Sequence, residues 1–453
     1  MQDSLHLLKS RRFLPLFVTQ FLGAFNDNLF RNASVMLVVY GIYSDPRKEA
    51  TFGSIAAGLF ILPFFLFSAI AGQITDEIDK ARVVRVVKTV EIAIMLVGAV
   101  GLLLHNIVLL LAALGAMGIH STFFGPVKYA ILPQHLAPEE VLGGTGLVEA
   151  GTYIAILGGT ILGGVLVVGG VDVSILGIPI IRTLGGGYSA AWAALAVLIV
   201  AALGRIAGGK VPPAPPDPAA PPLHMDWHII RASIALVRGT LHIRRLYLAI
   251  LAISFFWAMG TVLVAEFPAL VKDRLAADHY VGTSFIAVFS IGVAIGSVTI
   301  NRLLRGQVAA RFAPASVIAM GLFVLDLYRR VRSWPHFDGH HLLNIREFLA
   351  MPNGPWIAAD LLGMAIAGGM FVVPLYAFLT ITVPKADTAR TIAANNIVNS
   401  GFMVAATLLV AAAVHLGLTV ADSLLIVAIA SLVAAWLGWK LHLACDDGSC
   451  VTD

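Results

Sequence analysis

The sequence has little charge and almost no cysteine. Only 12% of its 453 residues are Asp, Glu, Lys or Arg, against roughly a quarter in soluble domains. The two cysteines, Cys445 and Cys450, both lie in the polar tail, which excludes a disulfide framework and a cysteine metal site. There is no Walker lysine motif, so nothing points to ATP-driven pumping by this chain. There is also no nucleophile elbow and no strand-rich soluble region, which argues against hydrolase chemistry. The reading is a non-enzyme with no cofactor. The first residues, MQDSLHLLKSRRFLPLF, lack an apolar stretch followed by a small-residue cleavage site, so no removable signal peptide is expected.

What is present is apolar sequence. Hydrophobic residues make up 58% of the chain, and the mean hydropathy is +0.88. Most of the surface must therefore face lipid. A spanning helix needs roughly 20 mostly apolar residues. Twelve runs meet that need: 13–40, 51–75, 84–104, 106–127, 141–168, 187–206, 246–271, 280–301, 311–328, 356–382, 391–414 and 418–439. The pI near 9.1 would suggest a nucleic-acid partner in a soluble protein. Here the basic residues fall between apolar runs, so they report topology and no nucleic acid is expected. Twenty of the 30 Lys and Arg lie on the side of the termini, counting Lys80, Arg82, Arg85 and Lys88 as one loop cluster. By the positive-inside rule both termini are cytoplasmic. The basic loop 329–355 on the other side runs against the bias.

Residues 207–225, GGKVPPAPPDPAAPPLHMD, form the one clear linker. Proline-rich chain is extended and semi-rigid, and this stretch splits the spans six and six. Beyond it Trp227, Ile230, Ile234, Val237 and Leu241 recur at helical spacing beside arginines, which predicts an amphipathic helix on the membrane surface. The expected organisation is a six-helix half at 1–206, linker and surface helix at 207–245, and a second half with tail at 246–453. The halves also share a pattern. Pro126 precedes GTGLVEAGTY (144–153), and Pro374 precedes ANNIVNSGFM (394–403). Setting Leu147 on Ile397 places Glu149 on Asn399 and Gly151 on Gly401. A parallel repeat of this kind puts a substrate path between the halves.

A charge at bilayer depth is costly unless paired or wetted, so each one asks for a function. In QFLGAFNDNLFRNAS (20–34), Asp27 lies roughly 21 Å into the first span. Arg31 is four residues on and within pairing reach. With Asn28 they offer polar contacts to a ligand; the plainer reading is a structural ion pair. Glu149, two turns into the fifth span, needs a cation, a proton or a donor. Asn395 and Asn399 share a face of the eleventh span and suit phosphate or glycerol oxygens, or serve as interhelical glue. Glu266 lies near the outer end of its span. His120 is deep enough to carry a proton; the plainer reading is a histidine satisfied by packing. Lys128 ends the fourth span and either snorkels to head groups or binds a ligand phosphate.

The segments FLGAFNDNLFRNA (21–33), FFGPVKYAILPQHL (123–136), GTGLVEAGTYIAILGGTILGG (144–164), FWAMGTVLVAEFPALVK (256–272) and ARTIAANNIVNSGFMVA (389–405) resemble the bacterial lysophospholipid transporter family of the major facilitator superfamily. The loop GQITDEIDKARVVR (72–85) resembles that superfamily's gating signature through Gly72, Asp76, Lys80 and Arg82. The resemblance implies an all-α membrane protein with a major facilitator fold. It implies a flippase that moves lysophospholipids such as lysophosphatidylethanolamine from the outer to the inner leaflet of the cytoplasmic membrane for reacylation. Asp27, Arg31, Asn28, Glu149, Lys128, Asn395, Asn399 and Glu266 are the expected substrate contacts. Some relatives are fused to an acyltransferase and an acyl-carrier-protein synthetase, which are therefore expected partners beside the membrane lipids; the chain is expected to act as a monomer. Some stand-alone relatives carry an arginine in the seventh span, and 251–270 has none. Two rivals remain: a proton-coupled exporter of drugs or small metabolites, and a membrane scaffold for an acyltransferase.

Overall fold

The computed structural model describes residues 4–43, 46–168, 173–175, 178–181, 190–221, 223–335 and 342–446. Twelve long helices carry the fold: α1 (Leu14–Leu37), α2 (Pro46–Glu77), α3 (Lys80–Leu103), α4 (Ile107–Ala130), α5 (Pro138–Val168), α6 (Ala190–Gly209), α7 (Arg244–Ala269), α8 (His279–Leu304), α9 (Ala313–Arg332), α10 (Gly354–Ile381), α11 (Thr388–His415) and α12 (Val420–Asp446). Each coincides with one expected span. Ten are long and apolar enough to cross a bilayer. The other two, α1 and α9, carry the polar stretches NDNLFRN and DLYRRVR. A short hairpin pairs Val173–Ile175 with Ile178–Ile181 between α5 and α6.

Local chemistry sets the ends. Asp79 caps α3 by accepting from the Ala81 amide at 2.8 Å. Asn106 caps α4 and Asp278 caps α8 in the same way, which satisfies otherwise orphaned amides. Close pairing inside each half uses glycine, as membrane helices do. Gly159 and Gly163 bring α5 against the backbone of α1 at Phe25 and Leu29, and Gly296 brings α8 against Ile366 of α10. Large apolar side chains such as Leu96, Leu203, Leu322 and Leu408 stay exposed on the outside, a surface made for acyl chains.

Both described ends of the chain reach one face of the bundle, here the terminal face; the opposite one is the distal face. The linker is strapped across the terminal face. The Ala214 amide donates to the Asp79 carboxylate and its carbonyl accepts from the Lys80 amide, Leu223 donates to Glu77, and Asp226 exchanges bonds with Gln73. The short helix Ile229–Leu241 then packs Ala232, Leu236 and Val237 on Ala69 of α2 and Ile397 of α11, and leaves Trp227, Ile230 and Ile234 exposed. Beside it two hydrogen bonds from Arg231 hold the Asp226 carboxyl down at about 2.

The distal face answers the question of the basic loop. Arg330 bonds Asp326 and reaches Asp360 of α10 at 3.2 Å. Arg332 lies 3.7 Å from Asp422 of α12. Trp334 stacks on Phe348. Two of these arginines, Arg330 and Arg332, tie helix ends together. Residues 336–341 of this loop, and the tail from 447 with Cys450, lie outside the described residues.

Candidate functional site

A cavity of about 300 Å³ opens between the halves at mid-depth, lined by α1, α2, α3, α4, α5, α7, α10 and α11. Its first wall is charged. Asp27 accepts from the Ser121 hydroxyl of α4 at 2.7 Å. Its other oxygen, Oδ1, is buried with no partner among the described residues. Behind it Glu91 of α3 accepts from Asn26 at 2.9 Å and from Lys88 at 2.6 Å, and His120 Nε2 lies 3.6 Å away. Lys88 and Glu91 are fully buried. Buried ions persist only when paired and hydrogen-bonded, and this cluster meets that condition by drawing on α1, α3 and α4 at once.

The second wall is neutral. Trp257 of α7 donates to the Tyr376 hydroxyl of α10 at 2.7 Å. Asn399 of α11 accepts from Ser254 at 2.7 Å and donates to Tyr376 at 3.4 Å. Where the walls meet, Tyr129 and Tyr376 stack with centroids 4.6 Å apart. The Tyr129 hydroxyl donates to Glu149. Glu149 and Asn399, aligned in the sequence repeat, thus each bond a tyrosine, and the two tyrosines meet between the halves.

The expected site residues separate into groups. Asp27, Asn28, Lys128 and Asn399 all line the cavity. Glu149 sits buried beneath it, 3.9 Å from Lys128, whose ammonium donates to Thr152 at 3.0 Å. Asn395 is buried one turn from Asn399 and does not reach the lining. The expected Asp27–Arg31 pair does not form. Arg31 donates to Asn28 at 2.6 Å and lies over Phe60, while Asp27 turns to Ser121. Helical spacing allowed the pair, but partners on the same and neighbouring helices win both side chains. Glu266 is half-buried near the distal end of α7, away from the cavity.

Sequence reasoning placed Lys88 in a loop cluster. The structure corrects this: α3 begins at Lys80, so Lys88 is two turns inside it and lines the cavity. The visible signal was Glu91, three residues on in an apolar run. Trp257, Tyr129 and Tyr376 were also missed, because aromatics in apolar spans carry no local mark of function.

Towards the terminal face the halves are latched. Asp76 at the end of α2 accepts from the Ala389 and Arg390 amides at 3.1 and 3.0 Å and from Arg390 Nε at 3.2 Å. It thus caps the first turn of α11, where exposed amides and the helix dipole favour an anion. Gly72 allows that approach, because a Cβ there would lie 2.7 Å from Ala393. Across the same face Asn301 donates to Ser4 at 2.5 Å. Lys80 is buried near Asp76, whereas Arg82 is exposed and makes no side-chain contact to the latch among the described residues.

The Major Facilitator Superfamily profile matches residues 16–407. The chain is 26% identical over 377 residues to the lysophospholipid transporter LplT of Serratia proteamaculans, covering 82% of this chain and 80% of that one. It is 25% identical over 386 residues to the LplT of Citrobacter koseri, covering 84% and 83%. Among solved structures it is similar to the human organic anion transporter MFSD10 (TM-score 0.67, 13% identity, covering 96% and 98%). It is also similar to a bacterial homologue of the iron transporter ferroportin in an outward-facing state (TM-score 0.62, 14% identity, covering 95% and 99%). With a profile match over most of its length and the fold to go with it, the chain belongs to the Major Facilitator Superfamily.

Proposed function

We propose that this protein carries lysophospholipids, such as lysophosphatidylethanolamine, from the outer to the inner leaflet of the bacterial cytoplasmic membrane by alternating access. The observation that carries this reading is the two-faced cavity, with charge on one wall and aromatic and amide groups on the other. A lysophospholipid head group needs such a room, and relatives bearing that transporter's name cover most of the chain. The unpartnered Asp27 oxygen accepts from the head group's ammonium or hydroxyls, Lys128 faces its phosphate, and Asn399 meets glycerol oxygens.

The charge bias puts the termini, and so the latched face, in the cytoplasm. The latched structure is then outward-facing. Residues 1–206 and 246–453 rock as two bodies about the cavity, joined by the strapped linker 207–245. Releasing Asp76 from α11 opens the inner side. The chain acts as a monomer without catalysis of its own and delivers its cargo to a separate acyltransferase or acyl-carrier-protein synthetase. Uptake of fluorescent lysophosphatidylethanolamine into proteoliposomes tests the reading: activity is expected in the wild type, and its absence refutes it.

One observation favours a second reading. Asp27, Glu91 and His120 form a cluster fit to hold a proton, as a proton-coupled exporter requires. An uncoupler abolishes transport on that reading and leaves a facilitated flippase running.

A further inference from the structure

Lys88 is a buried cation with spare bonding capacity. An ammonium has three N–H donors and no acceptor. Among the described residues its one hydrogen-bond partner is Glu91 Oε2, and the ring of Phe124 lies 5.2 Å from Nζ. Its side chain is fully buried within the bundle, yet it lines the central cavity.

The surroundings hold this ammonium towards the cavity. Glu91 has both oxygens engaged, one by Asn26 and one by Lys88, and is absent from the cavity lining. Its charge anchors Lys88 from behind. On the α1 side Gly23 makes room: a Cβ there would sit 2.6 Å from Nζ. Lys88 forms no ion pair with Asp27 among the described residues, although both line the cavity. The wall therefore presents a separated cation and carboxylate, and that dipole suits a zwitterion.

We propose that Lys88 is an anion subsite of the cavity and takes the phosphate of a lysophospholipid head group, with Glu91 as its positioning partner. This rests on the lysophospholipid reading above. The spare N–H groups donate to a phosphodiester oxygen, a charge-assisted bond strengthened by the dry site. The ammonium of the head group then lies towards Asp27. This adds a second cation to Lys128 for the phosphate, in a chain whose seventh span has no arginine.

The test uses the purified full chain in nanodiscs and three probes: lysophosphatidylethanolamine, a monoacylglycerol of the same tail, and tail-free glycerophosphoethanolamine. Removing Lys88 alone strands Glu91, so the first variant is Lys88→Met with Glu91→Gln, which empties the pair of charge. The second is Gly23→Ala, which displaces the flexible ammonium and removes no charge. The wild type is expected to bind the lysophospholipid about tenfold or more tighter than the monoacylglycerol, the scale of one charge-assisted bond. The double variant is expected to lose that preference while keeping its monoacylglycerol affinity and melting temperature, and Gly23→Ala to lose part of it. A double variant that keeps the full preference overturns the proposal and leaves Lys88 a structural counter-ion. A wild type that binds only the tail-free ester overturns the lipid reading instead. The double variant's loss of that ester would still support Lys88 as a phosphate subsite.

Discussion

The two halves share one architectural plan and differ in what they bury around the cavity. The first half encloses Lys88 and Glu91 and sets Asp27, Lys128 and Glu149 beside them. The second half offers the same cavity Trp257, Tyr376, Asn396 and Asn399, all neutral. Its buried carboxylate, Asp360, pairs with Arg330 on α9 and is absent from the cavity lining. Glu149 against Asn399 states the contrast at one pair of repeat positions. A buried ion costs several kcal/mol unless satisfied, and on this wall Lys88 and Glu91 are held by one network of α1, α3 and α4 while Lys128 and Glu149 answer each other across α4 and α5.

The contrast can be broken by mutation. The largest effect is expected on stability. Lys88→Met alone strands a buried carboxylate and should cost about 3–5 kcal/mol, whereas Asn399→Ala across the cavity removes neutral hydrogen bonds and should cost about 1–3 kcal/mol. Melting of both variants in detergent measures the difference, and equal losses would deny the asymmetry. Next in size is transport. Asp27→Asn should lower lysophospholipid flux about tenfold or more, while Tyr376→Phe on the neutral wall should lower it only a few-fold.

A third comparison tests the latch that joins the halves. Asp76→Ala removes three hydrogen bonds to α11. Bonds to a charged group contribute about 1.5–3 kcal/mol, enough to shift a two-state balance about tenfold or more. Cysteine accessibility at the terminal end of the cavity should rise; unchanged accessibility would remove Asp76 from gating. The smallest effect is expected at Glu266, which lies off the cavity, so Glu266→Gln should transport within about twofold of wild type. A large loss there would redraw the site.

Much of the fold was legible because hydropathy is a property of one helix at a time. All twelve long helices and the amphipathic helix at 229–241 could be read that way, ten of them as apolar enough to cross a bilayer. Asp27 and Lys128 stood out for the same reason, since a charge in an apolar run is visible locally. What could not be read was partnership. Arg31 at helical spacing suggested a bond to Asp27, yet Ser121, 94 residues away, takes that carboxylate. Lys88 was hidden by depth: with the run starting at 84 it lies one turn in and groups with the positive flank, whereas the helix start at Lys80 puts it two turns inside. Tyr129 and Tyr376 gain meaning only where distant segments meet.

The most direct measurement of the central claim is fluorescent lysophosphatidylethanolamine uptake in proteoliposomes, with wild type, Asp27→Asn and Lys88→Met/Glu91→Gln side by side. The charged-wall account predicts brisk uptake by the wild type and a drop of about tenfold or more in both variants. Wild-type rates in both would contradict it.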